Sequence, residues 1–223
     1  MHRTIRITAF ILLIQTIIWV IFMGISSAPI EPDWLALDYV TWASEKGVAY
    51  LINYVNVSLL TLLVVILFTF LYSFLKEGAG PLAISGLILV PIYGIMNLVC
   101  YSIQISVVPT MAEGALIRGD SVQFISQLIQ ADPGSLAGYI NGLAYAVLGI
   151  PSILFGMLLY RQSKRWSGAL LAVNGLLCIT GITGYHLGND LLSTGTMAGG
   201  IIFLLALLGM VIEFRDPVAP KAP

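Results

Sequence analysis

The sequence predicts an all-α integral membrane protein: a six-helix transmembrane bundle, N-in/C-in, with two interfacial helices on its outer face. Three observations predict it. Runs of about 20 apolar residues, the length that crosses a bilayer core, recur along the whole chain. Of the 223 residues, 58% are hydrophobic and only 9% are charged, against about 25% charged in soluble domains. A surface so short of charge has to face lipid. Finally, if the runs alternate across the bilayer, eight of the ten Lys and Arg residues fall on one side, as cytoplasmic loops require.

The first span covers about residues 5–25, behind a short basic start with Arg3 and Arg6. Ser26-Ser27-Ala28 resembles a cleavage site, but the apolar run is longer than the roughly 7–15 residues of a signal-peptide core. An uncleaved anchor is expected, with Gln15 and Trp19 facing the bundle. Pro32-Asp33 then offers an N-cap to a short helix over residues 34–46, and Gly47 its stop. Trp34, Tyr39 and Trp42 suit the headgroup level, where amphipathic rings keep an apolar body in lipid and a polar tip in water.

The second span, about 48–75, carries Asn53, Asn56 and Ser58 near its outer end, and a tight turn at residues 76–81 leads into the third, about 82–108. Here Tyr93, Asn97, Tyr101 and Gln104 interrupt the apolar run. At about 100° per residue they fall within an arc of roughly 80°, so one polar stripe faces other helices. Pro91 can kink this span and Pro109 ends it.

Residues 110–134 form a second outer segment, whose helix reads as interfacial or as a cover over the bundle mouth. Asp120 or Ser121 caps it, Val122, Ile125, Leu128 and Ile129 make its apolar face, and Asp132-Pro133-Gly134 ends it. The fourth span, about 136–160, has the clearest packing code: Gly142, Gly149 and Gly156 recur every seven residues, with Gly138 ahead of them. Such spacing leaves a flat strip that a neighbouring backbone can approach. Asn141, Tyr145 and Ser152 flank the strip, and Pro151 bends the span. The fifth span, about 166–185, adds Gly168, Gly175, Gly181 and Gly184 with Asn174 and Cys178; the last, about 194–214, adds Gly195 and Gly199. Residues 1–214 therefore read as one membrane domain, and 215–223 as a short Pro-rich, disordered cytoplasmic tail.

Placing the N-terminus inside leaves only Lys46 and Arg118 outside and returns the C-terminus to the cytoplasm. Size and layout fit a plasma membrane, in particular a prokaryotic inner membrane. The eight outer acidic residues, Glu31, Asp33, Asp38, Glu45, Glu113, Asp120, Asp132 and Asp190, read as loop-solubilising groups. A net charge of −1 argues against nucleic acid as a partner, since phosphate binding needs a concentrated basic surface.

The chemistry is thin. No span has a charged residue at its centre, which disfavours a proton-coupled transporter. With only His2 and His186 available, bis-histidine haem is implausible, and Cys100 and Cys178 sit mid-span on different helices, where they act as small hydrophobes. No cofactor is expected, no metal site stands out, and no motif identifies a family.

A weak catalytic reading joins His186, the one plausible neutral-pH base near the outer face, to Asp190 four residues on and to Glu113. Gly188 between His186 and Asp190 argues for a turn instead. The better-supported reading is an outward-opening pocket lined by Tyr93, Asn97, Tyr101, Gln104, Asn141 and Tyr145, suited to an apolar or amphipathic, lipid-like ligand. Interhelical hydrogen bonding that fixes packing is the more economical account of Asn97, Gln104, Asn141 and Asn174 together. The expected function is a non-enzymatic membrane protein that binds such a ligand, or a subunit or homo-oligomer packing through its glycine-rich faces. The alternatives are an outer-leaflet membrane enzyme and, third, a facilitator-type transporter.

Overall fold

Away from water an apolar segment can satisfy its backbone groups internally only as a helix. The computed structural model describes residues 1–26, 34–118 and 121–215, and among these it holds helices and no strand. Six helices are long and apolar enough to cross a membrane. They are α1 (His2–Ser26), the halves Val48–Glu77 and Gly80–Ser106 of α3 (Val48–Ser106), α6 (Leu136–Arg161), α7 (Arg165–Leu187), and α9 (Gly195–Glu213) with the short α8 (Asp190–Ser193) before it. Each lies within about a turn of the expected segment. The smaller α2 (Ala36–Ser44), α4 (Val108–Arg118) and α5 (Val122–Ser126) complete the set.

The turn expected at residues 76–81 is a break at one residue. Gly80 adopts φ 42° and ψ −122°, which a side chain disfavours. Pro81 follows at the start of the next half, where its missing N–H is no loss. Helical backbone persists through Pro91, because Gly80 is the one non-helical residue inside α3.

Several local expectations are corrected. Pro109 does not stop the chain's helical course. The span ends at Ser106, and Pro109 falls in the first turn of α4, where proline is tolerated. Gly47 does not end α2 but is the N-cap of α3. And α2 is shorter than residues 34–46: its first turn is fixed by Asp38, whose Oδ2 accepts from the Leu35 N–H at 2.7 Å. Asp33, Asp120, the Ser27-Ala28 pair and residues 216–223 lie outside the described residues. Ser121 does cap α5, accepting from the Phe124 N–H, but the helix ends at Ser126, short of the expected stop at Asp132-Pro133-Gly134 and of Leu128 and Ile129.

The long helices pack in sequence order. The α3 helix lies against α1 and α6, α7 against α6 and α9, and α9 closes onto α1. Along the backbone α3 touches neither α7 nor α9, so side chains fill the middle of the ring. Its apolar centre is built from Phe68, Phe155, Leu71, Leu171, Leu207 and Met210. Outward faces carry exposed Ile14, Ile88, Ile95, Leu176 and Ile201, a surface suited to lipid.

Glycine sets the closest approaches. A Cβ on Gly149 would stand 2.6 Å from the Gly175 carbonyl oxygen, and one on Gly156 2.6 Å from both the Gly168 oxygen and the Ala172 nitrogen. Gly195 meets Gly181 and the Leu177 carbonyl in the same way. The predicted strip is therefore used inside the chain, seating α6 on α7 and α7 on α9.

One end of the ring is covered by α2, α4 and α5. Val40, Trp42, Ala112, Ile125 and Ile129 bury there against Tyr50, Tyr54 and Tyr101 of α3. At the far end, Glu213 accepts from the Trp166 and Ser167 N–H groups at 3.0 Å and from the Ser167 hydroxyl at 2.6 Å. This carboxylate caps the start of α7 from the end of α9, where the helix dipole favours negative charge.

Candidate functional site

Helical spacing of four residues lines up Tyr93, Asn97 and Tyr101 on the second half of α3, and Asn141 with Tyr145 on α6. The two rows meet. The Asn141 Nδ2 donates to Asn97 Oδ1 at 2.9 Å and to the Tyr101 hydroxyl at 3.0 Å. The Tyr101 and Tyr145 hydroxyls lie 3.1 Å apart, and the Tyr93 and Tyr145 rings pack with centroids 5.8 Å apart. Five of the six residues expected to line the pocket thus form one network between α3 and α6.

The sixth has a different task. Gln104 sits a turn nearer the cap, fully buried. Its Nε2 donates to the Leu128 carbonyl at 2.7 Å, and its Oε1 accepts from the Gln130 N–H and the Tyr50 hydroxyl, each at 3.1 Å. One amide therefore latches the cap segment after α5 to the top of α3. Spacing alone placed Gln104 on the stripe correctly; its backbone partners come from residues 24 and 26 positions away and no sequence period reports them.

Two aromatic residues of the site were missed by sequence reasoning. Tyr50 and Tyr54 carry a row of rings from the cap into the bundle: Trp42 to Tyr50 at 5.7 Å, Tyr50 to Tyr54 at 4.7 Å, Tyr54 to Tyr101 at 6.0 Å. Their four-residue spacing beside Asn53 and Asn56 was the available signal. Lys46 covers the Trp42 ring at 4.0 Å. Burial lowers the pKa of its ammonium, with Glu45 acting in the opposite sense.

The network is largely buried. Tyr93, Asn97, Tyr101 and Gln104 are buried, while Asn141 and Tyr145 stay partly accessible. Asn97 has no exposed surface, and its Nδ2 has no hydrogen-bond partner. The Tyr93 hydroxyl stands beside Asn97 and Thr61 yet completes no bond with that nitrogen. Asn174 serves another seam, donating to the Gly199 carbonyl of α9 at 2.9 Å. Gln15 of α1 donates to Asn56 at 2.6 Å, and Trp19 packs partly buried at the cap cluster.

The catalytic candidates are joined by no hydrogen bond. His186 rests on the Tyr139 ring, with its Nε2 3.4 Å from the Tyr139 hydroxyl. Gly188 ends α7 at φ 61°, so Asp190 opens a different helix, and Glu113 is exposed on α4. Among the described residues no hydrogen bond or ion pair links the three, and no group of three His, Cys, Asp or Glu side chains converges. No protein-family model, no curated protein and no solved structure matches the chain.

Proposed function

We propose that this chain is a non-enzymatic multi-pass protein of the plasma membrane, both termini cytoplasmic, that binds an amphipathic, lipid-like molecule between α3 and α6 beneath its outer cap. One observation carries the reading: Asn97 Nδ2, fully buried in a helix of membrane length, has no partner. An unmet amide donor in an apolar interior costs about 1–3 kcal/mol, and a bound molecule that accepts from it removes that cost. The neighbouring rings of Tyr93, Tyr101 and Tyr145 supply the apolar and aromatic walls such a molecule needs. The charge split of eight to two supports the orientation, and the aromatic rings of α2 support its place at the outer interface.

The subunit reading finds less support, because the α6 glycines that would seat a partner already seat α7. Native mass spectrometry of the gently solubilised protein tests the proposal. A retained lipid or metabolite is expected in the wild type and in His186→Ala, and its loss in Asn97→Leu. A bare chain that co-purifies with another membrane protein would instead make the polar network an assembly device.

A further inference from the structure

Hydrogens are the informative quantity in the α3–α6 network. The Asn97 Nδ2 completes no hydrogen bond, although the Tyr93 hydroxyl lies beside it. Asn141 uses its amide nitrogen on Asn97 Oδ1 and on Tyr101. Between the Tyr101 and Tyr145 hydroxyls one hydrogen is shared, so whichever hydroxyl donates, the hydrogen of the other is left over. The site therefore carries an unmet donor at Asn97. It carries no charge: every described Lys, Arg, Asp and Glu lies near a helix end, in a connection or on the cap, and none at the middle of a membrane-length helix.

We infer that the group received at Asn97 is an uncharged oxygen acceptor, a carbonyl of an ester or ring ketone, carried on an apolar body. This rests on the binding site proposed above and names its ligand class. A carboxylate or phosphate would need a counter-charge once removed from water, because desolvating an ion costs several kcal/mol and nothing here offsets it. An ammonium would bring no acceptor for the Asn97 donor and, like the anions, would need a counter-charge. A pure hydrocarbon would leave the Asn97 donor unmet. A neutral carbonyl oxygen can accept from both the amide and the spare hydroxyl.

The test is native mass spectrometry of the delipidated full chain, supplied in turn with methyl oleate, oleate at alkaline pH, oleylamine and octadecene, which share one apolar body. Decylubiquinone is a fifth probe that separates ring ketones from acyl esters. Retention of methyl oleate or decylubiquinone at about tenfold the octadecene level is expected in the wild type, the worth of one or two buried hydrogen bonds. That preference should vanish in Asn97→Leu. It should fall about threefold in the near-isosteric Tyr145→Phe, which removes one hydroxyl while keeping the ring. In Asn141→Leu, which leaves the Asn97 donor in place, it should survive.

Oleate or oleylamine retained best, and lost in Asn97→Leu, would overturn the neutral-acceptor class while leaving the site standing. If no probe exceeds octadecene in either protein, the donors are met by water alone, and both the class and the binding site fall. Should Asn97→Leu fail to fold, an unchanged ester preference in Tyr145→Phe together with its loss in Asn141→Leu would also overturn the inference.

Discussion

Glu213 shows how a single side chain can tie distant parts of this chain. The sequence places it at the end of the last span, where it looks like a solvated terminal charge. In the fold it accepts three hydrogen bonds at the start of α7, which has no side-chain cap of its own from Lys164. Glu213→Ala should destabilise the protein by about 1–2 kcal/mol, the worth of a lost N-cap. At roughly 2–4 °C per kcal/mol for a chain of this size, that is a drop of several degrees in a detergent melt. Glu213→Gln should recover part of it, because the amide oxygen still accepts while the charge facing the helix dipole is gone. Equal melting of all three proteins would show that the cap contributes nothing. The stripe residues were legible at this scale because a 3.6-residue period fixes the face of a helix. Which atom stays unpaired was not, since that depends on the two helices' relative rotation.

Among elements, the seam between α6 and α7 separates glycines that the sequence treats alike. Gly142, Gly149 and Gly156 share one heptad position, yet a Cβ at Gly142 meets only the Ile182 Cδ1 at 3.7 Å, ordinary contact. At Gly149 and Gly156 it would press on the backbone of α7 at 2.6 Å, which cannot give way as a side-chain tip can. Gly156→Ala should therefore cost about 1–3 kcal/mol, the usual toll of overpacking, while Gly142→Ala should lie within about 0.5 kcal/mol of wild type. Reversible unfolding in mixed micelles would read both. Comparable losses at the two positions would mean that the helices can move apart freely. The strip itself was plain in the sequence; its partner was not, because any of five other spans could have met it.

For the whole molecule, the charge distribution predicts which ends face which compartment. Single cysteines at Ser121→Cys and Gln162→Cys, in a background with Cys100 and Cys178 replaced by alanine, should react oppositely with a membrane-impermeant maleimide. The first should label in intact cells and the second only after lysis, because α5 and the α6–α7 turn lie at opposite ends of α6. The reverse pattern would invert the topology and place the cap on the cytoplasmic side.

By itself the sequence determined the class, the six membrane-length helices with ends good to about a turn, and the polar face of the third. Hydropathy, helical period and turn chemistry are local quantities, and those features are local. Only the tertiary structure decided that α2, α4 and α5 bury their apolar faces together as a cap, that Gln104 latches this cap, and that Asn97 and Asn141 meet. It also decided that Pro109 starts a helix and Gly47 caps one, since a residue that punctuates the chain can serve the element before it or the one after. Contacts across dozens of residues arise from how rigid helices pack their surfaces, a property of pairs that no single segment encodes.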